Sequence, residues 1–216
     1  MNGLFITFEG IEGVGKSTQI QRLAQTLRER RFNVLTLREP GGTPIGEEIR
    51  HTLKHSSANA KMTPEAELLL MNASRAQLVG EVIRPALQRG EIVLCDRFFD
   101  STLAYQGYGR GLELNRVKAV IEFATGGLVP DLTLLLSLSV EASEARRARR
   151  ADNAAPQRDR FEEADAAFFR RVAEGYRQLA TESPQRIRVI DASKDLEEVQ
   201  STIWKVVSAL THPGRS

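Results

Sequence analysis

Gly10-Ile11-Glu12-Gly13-Val14-Gly15-Lys16-Ser17 is the stretch that decides the fold. Its pattern, G-x-x-x-x-G-K-[ST], follows the apolar run Leu4-Phe5-Ile6-Thr7-Phe8 and opens a helical stretch over residues 17–30. A strand that feeds such a loop into a helix aims the loop's backbone N–H groups, and the positive end of the helix, at an anion. Lys16 supplies a point charge for the β- and γ-phosphates, and Ser17 a hydroxyl for Mg²⁺. Residues 10–18, from Gly10 through Ile11, Glu12, Gly13, Val14, Gly15, Lys16 and Ser17 to Thr18, are therefore the expected nucleoside triphosphate loop. The loop leaves open what receives the phosphate.

Outward from the loop, apolar runs recur at residues 34–37, 92–95, 132–136 and 187–190, with helical patterns between them. Together with residues 4–8 they predict a parallel, doubly wound, five-stranded sheet covered by helices on both faces, a three-layer α/β fold of the P-loop NTPase type. Helices are expected over residues 19–30, from 64 toward 87, and over 115–125, 161–181 and 196–210. Gly126-Gly127 ends the third of these, and the tail from residue 211 is expected to fray. No repeat or linker divides the chain, so residues 1–216 are read as one domain.

Composition bounds the rest. With 41% hydrophobic and 27% charged residues, 216 residues suffice for one well-buried α/β domain. A net charge of +2 gives no argument for a nucleic-acid partner. The single cysteine, Cys95, excludes an internal disulfide framework and sits in an apolar run, as a buried thiol would. His51 and His55, four apart on an expected helix, lack companions for a metal site and read as a solvated face. No signal peptide and no membrane-length apolar run stands in the sequence, so a cytoplasmic location is expected.

Other anion-handling residues fall where the strands end. Arg38-Glu39-Pro40-Gly41-Gly42-Thr43 follows the second run and Asp96-Arg97-Phe98 the third. Open α/β sheets bind ligands beyond the carboxyl ends of their strands, so Arg38, Asp96 and Arg97 are expected near the loop. Asp96 closes an apolar strand, as a carboxylate that engages Mg²⁺ through water would. Arg97 suits bridging of phosphoryl groups with its planar fork. Residues 146–160 are arginine-dense and interrupted by Pro156. A charge run is ordinarily a solvated face. In a phosphate-binding chain, arginines on a mobile element can close over the transferred group, and this segment is read as a helical lid.

At this point the chain resembles the bacterial class of thymidylate kinases over essentially its whole length. The resemblance rests on Phe8 through Thr18, on Arg38 through Thr43, on Ser74-Arg75-Ala76-Gln77-Leu78 and on Asp96-Arg97-Phe98. Its most diagnostic stretch is Ser101-Thr102-Leu103-Ala104-Tyr105-Gln106-Gly107, ending in Gly109-Arg110-Gly111. The resemblance implies phosphorylation of dTMP to dTDP by Mg-ATP, for dTTP synthesis, in a homodimer. It implies that Glu12 engages the 3′-hydroxyl of dTMP, that Arg38 and Arg97 clamp its phosphate, and that Arg75 and Gln106 read the thymine edge. It implies that Tyr105 crowds the sugar 2′ position and that Ser101 belongs to the same dTMP site. Met71 stands where members of the family often carry a phenylalanine that stacks on thymine. A thioether still packs on a ring face, with some loss of stacking. Val14 occupies the loop position that holds arginine in the eukaryotic-type enzymes, so the resemblance assigns that charge to the lid. Arg149 and Arg150 are the first choices, Arg158 and Arg160 the next.

Two other readings stay open on sequence: a monophosphate kinase for a different base, and a non-catalytic nucleotide-binding protein. The Tyr105-Gln106 stretch weighs against the first. Lys16, Ser17, Asp96 and Arg97 occurring together weigh against the second. A GTP-dependent switch would need an N-K-x-D segment, which the sequence lacks.

Overall fold

The computed structural model describes residues 3–151 and 165–211. Strand β1 (Leu4–Glu9) runs into the loop and helix α1 (Lys16–Glu29), followed by β2 (Val34–Arg38) and α2 (Pro44–Lys54). Helix α3 (Pro64–Leu78) leads through a π-helical turn, Val79–Ile83, into α4 (Arg84–Gln88) and β3 (Ile92–Asp96). A short α5 (Phe99–Thr102) widens into a second π-helical segment, Leu103–Gly109, before α6 (Leu114–Thr125) and β4 (Leu132–Ser137). Helices α7 (Val140–Ala151) and α8 (Ala166–Glu182), strand β5 (Ile187–Asp191) and helix α9 (Leu196–Thr211) complete the order.

The five strands pair in the order β2-β3-β1-β4-β5, and every described pairing is parallel. This is the doubly wound sheet expected from the apolar runs. Alternation along the strands divides the core between two faces. Ile6, Phe8 and Leu94 join α1 and α9 through Leu23, Leu27 and Ile203. Phe5, Val93 and Cys95 face the other way, toward Leu78, Ile83 and Phe98. Cys95 is fully buried, and burial holds its thiol well above the usual range, as a structural cysteine requires.

Register places the site. Asp96 pairs with Phe8 on one side and Arg38 on the other, so the carboxyl ends of β1, β2 and β3 lie in one row. The three motifs that follow these strands therefore meet at a single edge, beside the strand-order reversal around β1.

Two helix expectations are corrected. The helix expected from residue 64 toward 87 does not run as a uniform α-helix. Pro85 has no N–H to give the preceding turn, and the turn before it relaxes into the π form. The helix expected from residue 161 starts at Ala166, where the Asp165 carboxylate accepts the Phe168 N–H at 2.7 Å; residues 161–164 lie outside the described part. Of the expected lid, α7 carries residues 146–151. The side chain of Arg150, and Arg158 and Arg160 altogether, lie outside the described residues.

Candidate active site

The loop's shape is enforced by its neighbours. At Gly10, φ is 130°, and a Cβ would press into the Leu136 carbonyl oxygen on β4. At Gly13, φ is 80°, and a Cβ would lie 3.0 Å from the Ser143 carbonyl oxygen and 3.1 Å from Cγ of Arg147, both on α7. Helix α7 thus packs directly on the loop, and the Ser143 hydroxyl donates to the Glu12 carbonyl.

Lys16 folds over the loop, its Nζ donating to the carbonyls of Gly10 and Ile11 at 3.1 Å each. Burial, and then the charge of Arg97, lowers its pKa from the ordinary lysine value. Ser17 is exposed and donates from Oγ to Oδ2 of Asp96 at 3.0 Å. A hydroxyl beside a carboxylate is an all-oxygen pair suited to a hard cation. Among the described residues no group of three or more His, Cys, Asp or Glu could hold a metal ion by itself. The Ser17–Asp96 pair fits Mg²⁺, which takes one or two protein ligands and draws the rest from phosphates and water.

Arg97 joins the two halves of the cleft. Its φ of 72° is a left-handed conformation uncommon for a residue with a side chain, and such outliers concentrate at functional sites. Five neighbours hold it there. Nη2 reaches Glu12 Oε1 at 2.7 Å and Tyr105 Oη at 3.1 Å; Nη1 reaches the Gly10 carbonyl, Ser101 Oγ and Tyr176 Oη at 3.0–3.2 Å. Burial alone would raise the Glu12 pKa. Arg97, with Lys16 and Lys54 behind it, more than reverses this and holds the carboxyl well below its ordinary range. Beneath Arg97 lies Glu9, fully buried, which accepts from the Phe98 N–H, Ser101 Oγ and Tyr176 Oη at 2.6–2.8 Å.

Two cavities open on either side of this pair. The outer one, about 1060 Å³, is polar and lined by the loop, Arg38, Arg50, Lys54 and Asp96. The inner one, about 450 Å³, is lined by Met71, Arg75, Ser101, Tyr105 and Gln106. Glu12, Glu39, Lys54 and Arg97 line both. The structure therefore brings together, around one cleft, the loop, Arg38, Met71, Arg75, Asp96, Arg97, Ser101, Tyr105 and Gln106. Arg38 is the most exposed of the arginines there and is paired with Glu47 at 2.9 Å. Arg149 lies exposed on α7.

Arg75 is 2% exposed, and its guanidinium is matched on every nitrogen. Nε and Nη2 reach Glu39 Oε2 at 2.8 and 2.7 Å, Nη1 donates to Asn72 Oδ1 and Thr102 Oγ1, and Nη2 also donates to the Phe98 carbonyl. Burial raises Glu39 to about 7 against the opposing pull of Arg75.

Sequence reasoning missed several of these residues. Glu9, Glu67 and Tyr176, and Arg50 and Lys54 on α2, carry no role of their own in the sequence reading. Arg147 was one arginine in a run, yet it is the one that packs beside Gly13 and over the Phe169 ring at 4.7 Å. No local pattern marks any of them. Their partners come from segments distant in sequence.

The family model described as Thymidylate kinase matches residues 8–203. A thymidylate kinase of Syntrophotalea carbinolica is 52% identical over 97% of this chain and 98% of its own length. One of Deinococcus radiodurans is 49% identical over the same shares, and one of Desulforudis audaxviator 50% identical over 97% of this chain and 92% of its own. The chain belongs to the thymidylate kinase family.

Proposed function

We propose that the protein transfers the γ-phosphoryl group of ATP to dTMP, giving ADP and dTDP. The observation that carries this is the pair Glu12–Arg97 lining both a phosphate-binding loop's cavity and a second pocket walled by Met71, Arg75, Tyr105 and Gln106. ATP takes the loop, Gly10 to Thr18, with its phosphates against Lys16. The dTMP phosphate meets Arg97 and Arg38, its 3′-hydroxyl Glu12, its sugar Tyr105 and Ser101, and its base Met71, Arg75 and Gln106. Ser17 and Asp96 would hold Mg²⁺, which neutralises phosphate charge when bound. The acceptor is already an oxyanion, so no strong base is needed. Catalysis is positioning and charge stabilisation by Lys16, Arg97 and the lid arginines, with Arg149 and Arg150 the candidates there.

The reading includes a homodimer and a cytoplasmic location. Phe123 on α6 is 91% exposed and Leu69 on α3 is 58% exposed, apolar surface on helices that pack together. Sedimentation at twice the 24.0 kDa chain mass is the expected result. For location, no described helix is long and apolar enough to cross a membrane.

An ADP-release assay with Mg-ATP and dTMP, dUMP, dGMP, AMP or CMP tests the activity. Turnover is expected with dTMP, weaker turnover by about 10–200-fold with dUMP, which lacks one methyl, and negligible turnover with the rest. Preference for a purine nucleotide would sink the assignment.

A further inference from the structure

Gln106 lines the inner pocket, 1% exposed, on the π-helical segment. An amide can face a ligand with either its carbonyl or its NH₂, and the two choices recognise opposite hydrogen-bonding edges. Here the choice is made by a residue behind it. Glu67, on the first turns of α3, is fully buried, and its Oε1 lies 2.9 Å from Gln106 Nε2. An ion-paired carboxylate only accepts hydrogen bonds, so Gln106 must turn its NH₂ toward Glu67. Arg110 keeps Glu67 in that state. Its Nε and Nη2 reach the two carboxylate oxygens at 3.1 and 3.0 Å, and its guanidinium sits 4.7 Å from the Phe168 ring centroid. Gln106 Oε1 receives no hydrogen bond among the described residues.

We propose that Glu67 and Arg110 are positioning residues that fix Gln106 with its carbonyl toward the ligand, so that the pocket selects a pyrimidine whose ring nitrogen carries a hydrogen. This rests on the dTMP reading of the site and deepens it. Thymine and uracil present that N–H, which suits an acceptor from Gln106; Arg75, already paired with Glu39, Asn72, Thr102 and the Phe98 carbonyl, is not needed for this choice. Cytosine presents a bare nitrogen there, an acceptor facing the Gln106 carbonyl, so that contact is lost. Glu67 touches no substrate in this account; it acts through the orientation of Gln106.

The test is the ratio of kcat/KM for dTMP to that for dCMP. A wild-type ratio of about 10⁴ or more is expected for a site whose buried polar groups would go unpaired with the wrong base. In Glu67→Gln the residue can donate as well as accept, Gln106 is free to flip, and the ratio should fall at least about tenfold, with dTMP losing mainly in KM. Should that variant fail to fold, Arg110→Met, which removes the paired guanidinium that holds the Glu67 carboxylate in place, should narrow the ratio, and Arg110→Lys, which keeps the charge, should retain it. A ratio unchanged in Glu67→Gln or Arg110→Met, including the case where both substrates lose rate in proportion, overturns the inference while the kinase reading stands. Absent dTMP turnover in the wild-type protein overturns that reading and the inference with it.

Discussion

The outer and inner halves of the cleft are built on opposite plans. The outer half comes from one continuous loop and a row of strand ends. Its groups are backbone N–H donors, the exposed Ser17 hydroxyl and at least partly exposed charges such as Arg38 and Asp96. The inner half is assembled from β2, α3 and the segment after β3, and its polar side chains are buried against one another: Arg75 with Glu39, and Gln106 and Arg110 with Glu67. Phosphates carry strong charge and little shape, so a ring of backbone donors suffices. A base is nearly neutral and is told from its relatives by hydrogen-bond polarity, which needs donors and acceptors that cannot turn.

If the halves differ in this way, damage to each should have a different signature. The largest effect belongs to the outer half. Lys16→Met should lower kcat by about 10²–10³ while thermal unfolding stays close to wild type, because a charge aimed at the transferred group contributes mostly in the transition state. A large fall in melting temperature with unchanged kcat would break the comparison.

In the inner half the effect should be on stability and its pH dependence. Glu39 titrates near 7 in the folded protein against an ordinary value of 4.5, so the folded chain holds a proton that the unfolded chain releases. Its contribution to stability is complete below pH 4.5 and is lost as pH rises through about 7. Over that window the wild-type protein should lose up to about 3 kcal/mol that Glu39→Gln does not lose. Urea unfolding at a series of pH values checks this, and parallel curves for the two proteins would rule it out.

The smallest effect sharpens the comparison at the pocket wall. Met71→Phe should lower KM for dTMP by about 2–10-fold through better stacking, leaving kcat nearly unchanged. A rise in KM would mean that the wall is filled by Met71 and has no room for a ring.

Much of the fold was legible because its signals are local. Each strand run was found within one residue of its observed end, since buried parallel strands are continuous apolar stretches. The loop was legible because eight consecutive residues carry both its shape and its chemistry. The π-helical segment at Leu103–Gly109 was not legible: the widened turn depends on what Tyr105 and Gln106 meet on Arg97 and Glu67, and no propensity records that.

The sequence by itself determined the phosphate-binding loop, the parallel sheet and, through the order of its motifs, the family. It could do so because backbone geometry and apolar periodicity are properties of neighbouring residues. Only the tertiary structure decided that Arg97 is caged by Glu12, Tyr105 and Tyr176, that Arg147 seats α7 on the loop, and which face Gln106 shows to the pocket. Those outcomes are set by burial. A buried carboxylate must find its donors wherever the fold brings them, and in this protein it brings them from the far side of a helix or from more than a hundred residues away.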